Sequence, residues 1–280
     1  MGAFPRPRAH RATTLLLACV TVLAALTSCG TEEPAPPPAE PSLAEQAPDP
    51  GERCGFPDPV QKVVLTTEDG VKLASANIGT GAHGVVLLPQ RGADMCGWSL
   101  AAAKMQQQGL HVLAIDLRCA GYSDCDNSSD DQTDNTHDFG ADAAAAIAEL
   151  KRTGATKVVV MGASLGAASA VVAGGRFADQ VSGVVGLSVF SAEFNASGTA
   201  RTDVTSSTKA AARMTAPMLL VVGTGDGSSI SPGTAQELID AGAAKDKGKV
   251  ISVEGSAHGW DLLRTPDIET QVLAFLKANT

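Results

Sequence analysis

Short apolar runs alternate with alanine-rich or amphipathic segments along the chain from about residue 60 onward. The apolar runs have the length and composition of strands, and the segments between them have helical periodicity. The turn residues 68–70 would join the first two strands as an antiparallel hairpin. Regular alternation after that hairpin is typical of a parallel sheet covered by helices on both faces. The predicted strands are 60–67, 71–78, 84–88, 111–117, 158–161, 181–189, 217–222 and 249–253, and the predicted helices are 97–108, 139–153, 167–175, 207–214, 232–241 and 266–278.

The strand predicted at 158–161 leads directly into a serine that is flanked by small residues. The sequence from Gly162 to Gly166 has the pattern G-x-S-x-G, which places a nucleophilic serine, here Ser164, on a sharp turn between a strand and a helix. Small residues are needed because larger side chains would clash in that turn. The helix that follows would point the backbone N–H of Leu165 at a developing oxyanion. A glycine-rich turn with a chance serine is the alternative, and the flanking strand and helix argue against it.

Two later loops carry the partners that a catalytic serine requires. Asp226 and His258 follow the last two predicted strands, so both lie where open α/β sheets build their sites. Asp226 is interpreted as the acid, although an aspartate between two glycines is also an ordinary turn residue. His258 is interpreted as the base, and His137, at the same predicted edge, is its rival. His83 and His111 begin strands at the opposite edge and are interpreted as structural.

The chain order of Ser164, Asp226 and His258 differs from the orders in chymotrypsin and subtilisin and resembles that of the α/β-hydrolase superfamily. Within that superfamily, the chain is most similar to the small, capless, dienelactone-hydrolase-like members. The family's D-x-R-x-x-G-x-S turn is also present, although Cys119 stands where the family usually has glycine. The residues of this turn are Asp116, Arg118, Gly121 and Ser123.

The resemblance implies an α/β-hydrolase fold, with a mostly parallel central sheet, helices on both faces and an N-terminal antiparallel hairpin. It also implies that Ser164 is the nucleophile, His258 the general base and Asp226 its orienting acid, with no cofactor and no metal. The second oxyanion donor would be a backbone N–H in the loop after the first parallel strand. Aligned residue by residue, Arg91 supplies that N–H, whereas a shift of one residue would make it Gln90.

The N-terminus has the pattern of an export signal. Three arginines precede an apolar run, 14–26, that is too short to span a bilayer comfortably. The run ends in Leu-Thr-Ser followed by Cys29, which resembles the lipobox of bacterial lipoproteins, where the cysteine is lipidated and becomes the mature N-terminus. An ordinary signal peptide is the alternative. The resemblance predicts a protein anchored to the cell membrane, on its extracytoplasmic face, by a lipid on Cys29.

Composition divides the chain into three parts. Residues 1–28 are the predicted lipoprotein signal peptide. Residues 30–51 contain seven prolines, five carboxylates and no basic residue, so 29–51 is predicted to be the lipidated cysteine followed by an extended tether. Residues 52–280 have an ordinary length for one α/β-hydrolase domain.

Four cysteines remain in the predicted domain: Cys54, Cys96, Cys119 and Cys125. An even number suits disulfides in an oxidising compartment, which agrees with export. Three connectivities are open, and we favour Cys119 with Cys125, in one loop, and Cys54 with Cys96. A zinc site is the alternative, and the lack of any C-x-x-C spacing argues against it.

The acidity of the chain limits its partners. A net charge of −9 argues against nucleic acid. Many of the carboxylates fall within 124–138, which is interpreted as a solvated acidic loop because its spacing lacks the calcium-binding EF-hand pattern.

The sequence therefore predicts an ester-cleaving serine hydrolase that acts on an ester or other acyl substrate. Only 190–216 could form a cap, and its shortness predicts an open site that admits bulky substrates. A peptidase or an acyltransferase on the same triad stays an alternative, because fold and triad do not specify the acyl acceptor. A non-catalytic binding lipoprotein is a further alternative, and the presence of all three triad residues argues against it.

Overall fold

The computed structural model describes residues 40–126, 137–194, 205–244 and 248–280. The predicted signal peptide and Cys29 lie outside these ranges, as do most of the acidic loop and the middle of the segment 190–216. Residues from Glu40 to Thr280 form one compact unit. Within the described ranges, no helix has both the length and the apolar composition needed to cross a membrane.

Eight strands form a single sheet in the described part of the chain. They are β1 Val60–Thr66, β2 Lys72–Ile78, β3 His83–Leu88, β4 His111–Ile115, β5 Lys157–Ala163, β6 Gly183–Leu187, β7 Met218–Gly223 and β8 Lys249–Val253. Their order in space is β1-β2-β4-β3-β5-β6-β7-β8. β2 is antiparallel to both of its neighbours, β1 and β4, and all other neighbours are parallel. The predicted hairpin and the predicted mostly parallel sheet are confirmed.

Helices connect the strands. They are α1 Leu43–Gln46, α2 Pro50–Cys54, α3 Ser99–Gln107, α4 Phe139–Arg152, α5 Leu165–Arg176, α6 Ser207–Arg213, α7 Pro232–Ala241 and α8 Pro266–Asn279. A 3-10 turn, Met95–Trp98, precedes α3, and another, Gly259–Arg264, precedes α8.

Alternating side chains of the strands divide the interior into two apolar layers. Val158 and Val160 of β5 belong to the layer that contains side chains of α4, α5, α6 and α7. Val159 and Met161 belong to the opposite layer, which contains side chains of α3 and α8. Because both faces are covered, the parallel strands are apolar at nearly every position, as the sequence pattern indicates.

The loops that follow the parallel strands meet at one edge of the sheet. Leu88 of β3 is paired with Gly162 of β5, and Ala163 of β5 with Leu187 of β6. The ends of β7 and β8 are likewise in register. The loops that carry the predicted site residues therefore begin side by side, at the edge where open sheets bind ligands.

The compact unit begins earlier than the sequence predicts. Residues 40–51, expected in the extended tether, contain α1 and the start of α2 and belong to the domain. Ser42 and Glu45 form a capping box that starts α1, and Ala44 is buried against Ala74 of β2. Composition predicts a tether because prolines and carboxylates rarely build a core. Here they start helices instead, since an aspartate caps α2 and a proline occupies its first position.

Two disulfides link the four cysteines, Cys54 with Cys96 and Cys119 with Cys125. These are the two pairings favoured from the sequence. The first ties α2 to the 3-10 turn Met95–Trp98. Cys119 has a φ of +61°, in the left-handed region that favours glycine. Glycine, which the resembled family usually has at this position, adopts such a φ without steric cost.

A buried arginine joins the loop after β4 to α4 and to the entry hairpin. The Arg118 side chain is 1 % exposed, and its guanidinium lies 2.8 to 2.9 Å from the carboxylates of Asp69, Asp126 and Asp142. Asp142 also accepts the backbone N–H of Arg118. Burial raises the pKa of Asp142 to about 6, although the charge of Arg118 opposes that rise.

Replacing Arg118 with leucine is expected to lower the free energy of unfolding by about 3–5 kcal/mol near neutral pH, because buried carboxylates lose their main counter-charge. Since the folded-state pKa of Asp142 lies above its ordinary value, ionisation of Asp142 costs stability as the pH rises. Because Arg118 lowers the pKa of Asp142, that pKa lies higher still in the variant, and the loss should shrink as the pH falls towards about 6. Urea denaturation measures both effects.

The matched control is Arg152→Leu, which breaks only the exposed ion pair with Glu149. Its free energy of unfolding should fall by no more than about 1 kcal/mol. Equal losses for the two variants would contradict a stabilising role for the buried arginine.

Candidate active site

Ser164 lies on the turn between β5 and α5, at the edge of the sheet where the parallel strands end. Its φ of +51° and ψ of −111° lie outside the regions that residues other than glycine ordinarily adopt. The backbone N–H of Ser164 donates to the carbonyl oxygen of Leu187 at 2.8 Å, which anchors the turn to β6. A strained serine directly between a strand and a helix is the geometry of a nucleophile elbow.

Two glycines allow the close approach of backbones that this turn requires. A Cβ on Gly162 would overlap the carbonyl group of Gly166, so β5 and the first turn of α5 can meet only at a glycine. A Cβ on Gly166 would overlap the carbonyl oxygens of Leu88 and Pro89. The start of α5 therefore packs, backbone against backbone, on the loop that follows β3.

Asp226 and His258 form the candidate pair of acid and base. Asp226 Oδ1 lies 2.7 Å from His258 Nδ1. The Asp226 side chain is 2 % exposed, whereas the His258 ring is 37 % exposed. An ionised carboxylate only accepts hydrogen bonds, so Nδ1 donates and Nε2 of the neutral ring is left as a proton acceptor.

Hydrogen bonds fasten the loop of the candidate acid to the loop of the candidate base. The N–H of Thr224 donates to the carbonyl oxygen of Val253, and the N–H of Gly225 to that of Gly255, both at 2.8 Å. The N–H of Gly255 donates in return to Thr224 Oγ1 at 3.2 Å. The main chains that leave β7 and β8 thereby set the separation of the two candidate side chains.

The loop of the candidate base also meets the elbow. A Cβ on Gly259, the residue after the base, would lie 3.4 Å from Ala163 Cβ, next to the nucleophile, and would overlap Gln90 Oε1. The loops that follow β3, β5 and β8 thus converge at Gly259. The Ser164 hydroxyl makes no hydrogen bond with a described residue, and bonds of this kind often tighten only when substrate is bound.

Three backbone N–H groups near the elbow are candidates to receive an oxyanion. That of Leu165 is the first of α5, and those of Gln90 and Arg91 lie in the loop on which α5 packs. None of the three donates to a described residue. Both Gln90 and Arg91 therefore stay candidates for the second donor.

The rival base, His137, is fully buried and cannot reach a substrate. Its Nδ1 lies 3.1 Å from the carboxylate of Asp126, and its ring contacts Phe139 edge-on. His111 is also buried, with Nε2 2.7 Å from Asn77 Oδ1. Burial lowers the pKa of His111. Both histidines are therefore buried among protein groups, as expected of structural residues.

Cys119, Cys125 and His137 form a cluster whose potential ligand atoms lie within 4.8 Å of one another. Metal ions bind cysteine as the thiolate. The disulfide between the two cysteines uses both sulfurs, so the zinc alternative finds no support in this cluster.

Asp116, the first residue of the D-x-R-x-x-G-x-S turn, is a buried support for the site. Its carboxylate accepts the N–H groups of Met95 and Tyr122 at 2.8 and 2.9 Å and pairs with Arg53 at 2.9 Å. Burial raises the pKa of Asp116, and these three donors oppose the rise. Gly121 has a φ of +55°, and a Cβ there would overlap the same carboxylate. Asp116 thus holds together two loops beside the site.

An open cavity of about 450 Å³ lies between those loops. It contains none of the triad candidates, but Gly92 follows Arg91 directly and Trp260 lies two residues after His258. One indole, one carboxylate and several small residues line it. The lining residues are Gly92, Ala93, Asp94, Gly97, Cys119, Ala120, Gly121 and Trp260.

Sequence reasoning missed one buried serine at the site. Ser188, the first residue after β6, is fully buried and has a φ of +58°. Its Oγ lies 2.5 Å from Asp226 Oδ2 and accepts the N–H of Gly259 at 2.8 Å. The sequence gives no signal for it, because Ser188 falls inside the strand predicted at 181–189, whereas in the structure that strand ends at Leu187.

The chain matches the family model described as Serine aminopeptidase, S33 (Hydrolase_4) over residues 80–193. The matched range includes the Ser164 elbow but ends before Asp226 and His258. No curated protein matches the sequence.

Several solved structures have a similar fold. The Pyrococcus furiosus esterase Pf2001 is 19 % identical, with a TM-score of 0.61, over 81 % of this chain and 95 % of its own. The Paleococcus ferrophilus monoacylglycerol lipase is 17 % identical, with a TM-score of 0.58, over 74 % and 99 %. The esterase RhEst1 from Rhodococcus sp. ECU1013 is 16 % identical, with a TM-score of 0.60, over 78 % and 99 %. The chain therefore has the α/β-hydrolase fold, and the family match supports its place in the α/β-hydrolase superfamily.

Proposed function

We propose that this chain is a serine hydrolase that cleaves carboxylic esters through an acyl-enzyme intermediate. The observation that carries the proposal is the pair of Asp226 and His258, 2.7 Å apart, with the loop of His258 in contact with the strained Ser164 elbow. Proteins of the same fold include a P. furiosus esterase and a monoacylglycerol lipase, which supports an ester as the substrate.

In the proposed acylation, Ser164 Oγ attacks the ester carbonyl carbon while His258 Nε2 takes the hydroxyl proton. The carbonyl oxygen becomes an oxyanion that accepts hydrogen bonds from the N–H of Leu165 and from that of Arg91 or Gln90. The tetrahedral intermediate then expels the alcohol, which receives the proton from His258, and the acyl group stays on Ser164.

In the proposed deacylation, a water molecule attacks the acyl carbon while His258 Nε2 takes one of its protons. The second tetrahedral intermediate releases the carboxylic acid, and the proton returns to Ser164 Oγ. Asp226 keeps Nδ1 protonated in both halves and stabilises the imidazolium that forms each time. No cofactor takes part.

Fluorophosphonate labelling of the whole chain tests the proposal, because the probe reacts with an activated serine and needs no knowledge of the substrate. A p-nitrophenyl ester panel of increasing acyl length then measures turnover. We expect one labelled serine, Ser164, and hydrolysis of at least one ester. A folded chain that neither labels nor hydrolyses any ester would support the non-catalytic binding protein instead.

A peptidase is the second candidate, since the matching family model is described as a serine aminopeptidase. The triad would cleave an amide by the same steps, with an amine as the leaving group. Aminoacyl p-nitroanilides, measured beside the corresponding esters, separate the two. A higher kcat/KM on the anilides would favour the peptidase.

A capless site open to bulky esters is part of the same proposal, as in the dienelactone-hydrolase-like members that the sequence resembles. The cavity beside the loop that follows β3, called the oxyanion loop below, supports this part of the proposal. The cavity is open to solvent, and small residues form most of its lining.

We further propose that the protein is exported and held at the cell membrane by a lipid on Cys29. The lipobox-like sequence supports the anchor, and the two disulfides support an oxidising compartment. The net charge of −9 offers no attraction to an anionic membrane surface. The lipid would therefore be the main anchor.

Replacing Cys29 with serine is expected to move the protein from the membrane fraction to a soluble or unprocessed form, because the residue that carries the lipid is lost. Detergent phase partition and mass spectrometry of the N-terminus measure the change. Cys19→Ser, in the predicted leader, is the matched control and should leave the membrane fraction unchanged. An unmodified native N-terminus together with membrane-bound Cys29→Ser protein would overturn the lipobox proposal.

A further inference from the structure

The residue that follows β6 is a serine that contacts the candidate acid and the main chain directly after the candidate base. The hydroxyl of Ser188 lies 2.5 Å from Asp226 Oδ2, and it accepts the N–H of Gly259 at 2.8 Å. Gly259 directly follows His258 in the chain. One buried oxygen atom therefore links the strand β6, the loop of the acid and the loop of the base.

The directions of these hydrogen bonds follow from their partners. The backbone N–H of Gly259 can only donate, so it uses a lone pair of Ser188 Oγ. An ionised carboxylate can only accept, so the single hydroxyl proton goes to Asp226 Oδ2. The other carboxylate oxygen, Oδ1, is left for His258 Nδ1 at 2.7 Å. The two oxygens of Asp226 thus have different partners, and the carboxylate cannot rotate without breaking one of them.

The backbone of Ser188 is held in place independently of this contact. Its N–H donates to the carbonyl oxygen of Val221 in β7 at 2.8 Å. Its φ of +58° is unusual for a residue other than glycine, and such conformations persist where the surrounding structure enforces them, often at functional sites. The side chain is fully buried, so it contacts the acid without contacting solvent or substrate.

We infer that Ser188 is a positioning residue for the proposed reaction: it fixes the rotation of the Asp226 carboxylate and the place of the His258 loop. The inference rests on the proposed function. Ser188 takes no proton from the substrate and acts only through Asp226 and the main chain after His258.

Two variants remove the hydroxyl in different ways. Ser188→Ala keeps the Cβ, and Ser188→Gly removes it but suits the positive φ. Both should lower kcat by about 10- to 100-fold, the cost of a lost hydrogen bond to a charged group. KM should change by less than about two-fold, because the substrate does not touch Ser188. Ser207→Ala removes another fully buried serine hydroxyl, bonded to Ala192, and should leave kcat unchanged.

A double-mutant cycle separates positioning from a general loss of stability. Since Ser188 acts in part through Asp226, the loss of kcat caused by Ser188→Ala should be clearly smaller in an Asp226→Asn background than in the wild type. If the role of Ser188 were merely structural, Ser188→Ala would lower kcat in that background by the same factor as in the wild type. Full additivity, or unchanged kcat in both single variants, would overturn the inference.

A spectroscopic readout keeps the test separate from the proposed function. In the folded wild-type chain, the Nδ1 proton of His258 should give a downfield proton resonance, assigned by its absence in His258→Gln. Loss or broadening of that resonance in Ser188→Ala would support positioning even if no ester were hydrolysed. An unchanged resonance would count against it. Wild-type protein that shows the resonance but is not labelled by the fluorophosphonate would refute the proposed function and leave the inference about Ser188 standing.

Discussion

Replacing Ser164 with alanine is expected to abolish fluorophosphonate labelling and to lower ester hydrolysis by at least about 10⁴-fold. Only the attacking oxygen is removed, so no acyl-enzyme can form. The fold should persist, because the Ser164 hydroxyl makes no hydrogen bond with a described residue. Alanine must adopt the same positive φ, but it adds no atom to the turn.

The matched control is Ser182→Ala, whose hydroxyl bonds the carbonyl oxygen of Val158 at the opposite edge of the sheet. It should label and hydrolyse as the wild type does. Covalent labelling is measured by intact-protein mass spectrometry, and folding by the midpoint of urea denaturation. Undiminished labelling of folded Ser164→Ala would show that another serine is the nucleophile.

Replacing His258 with alanine is expected to lower kcat/KM by several orders of magnitude, about 10⁴-fold, because Ser164 loses its general base. His137→Ala should change kcat/KM by less than about ten-fold, since the His137 ring is buried away from the substrate. Rates are taken per folded molecule, because the cavity left by His137 also costs stability.

Added imidazole provides a second test of the base. It should partly restore the activity of His258→Ala, since the ring of His258 is 37 % exposed and its removal leaves room for a free base. It should do nothing for Ser164→Ala. A larger loss in His137→Ala than in His258→Ala would transfer the role of base to His137.

Most of the fold could be predicted because apolar periodicity dominates it. The helix expected at 232–241 and the strand expected at 249–253 have the bounds that the structure gives them. The segment 40–51 was not predicted to belong to the domain. Its few buried residues are two alanines and Pro50, and its caps depend on contacts of single side chains. The amino-acid composition of a segment carries no information about such individual contacts.

The candidate site, like the fold, could be predicted from the sequence only in part. Ser164, Asp226 and His258 each follow an apolar strand, so their common edge could be predicted from the alternation of elements. Ser188 could not, because its role depends on a positive φ and on contacts to two distant loops. The burial of His137 could not be predicted either, since the sequence shows only that His137 lies in a loop at the same edge of the sheet as Ser164.

The packing of α5 on the loop after β3 has a consequence for how this protein could change over evolutionary time. Gly166 meets the carbonyl groups of Leu88 and Pro89, so the main chain alone fixes the elbow relative to the oxyanion loop. Side chains that line the neighbouring cavity, among them Asp94 and Trp260, take no part in that contact. Under the proposed function, mutation of the cavity lining could therefore change the range of esters accepted while the contact between the elbow and the loop after β3 stays the same.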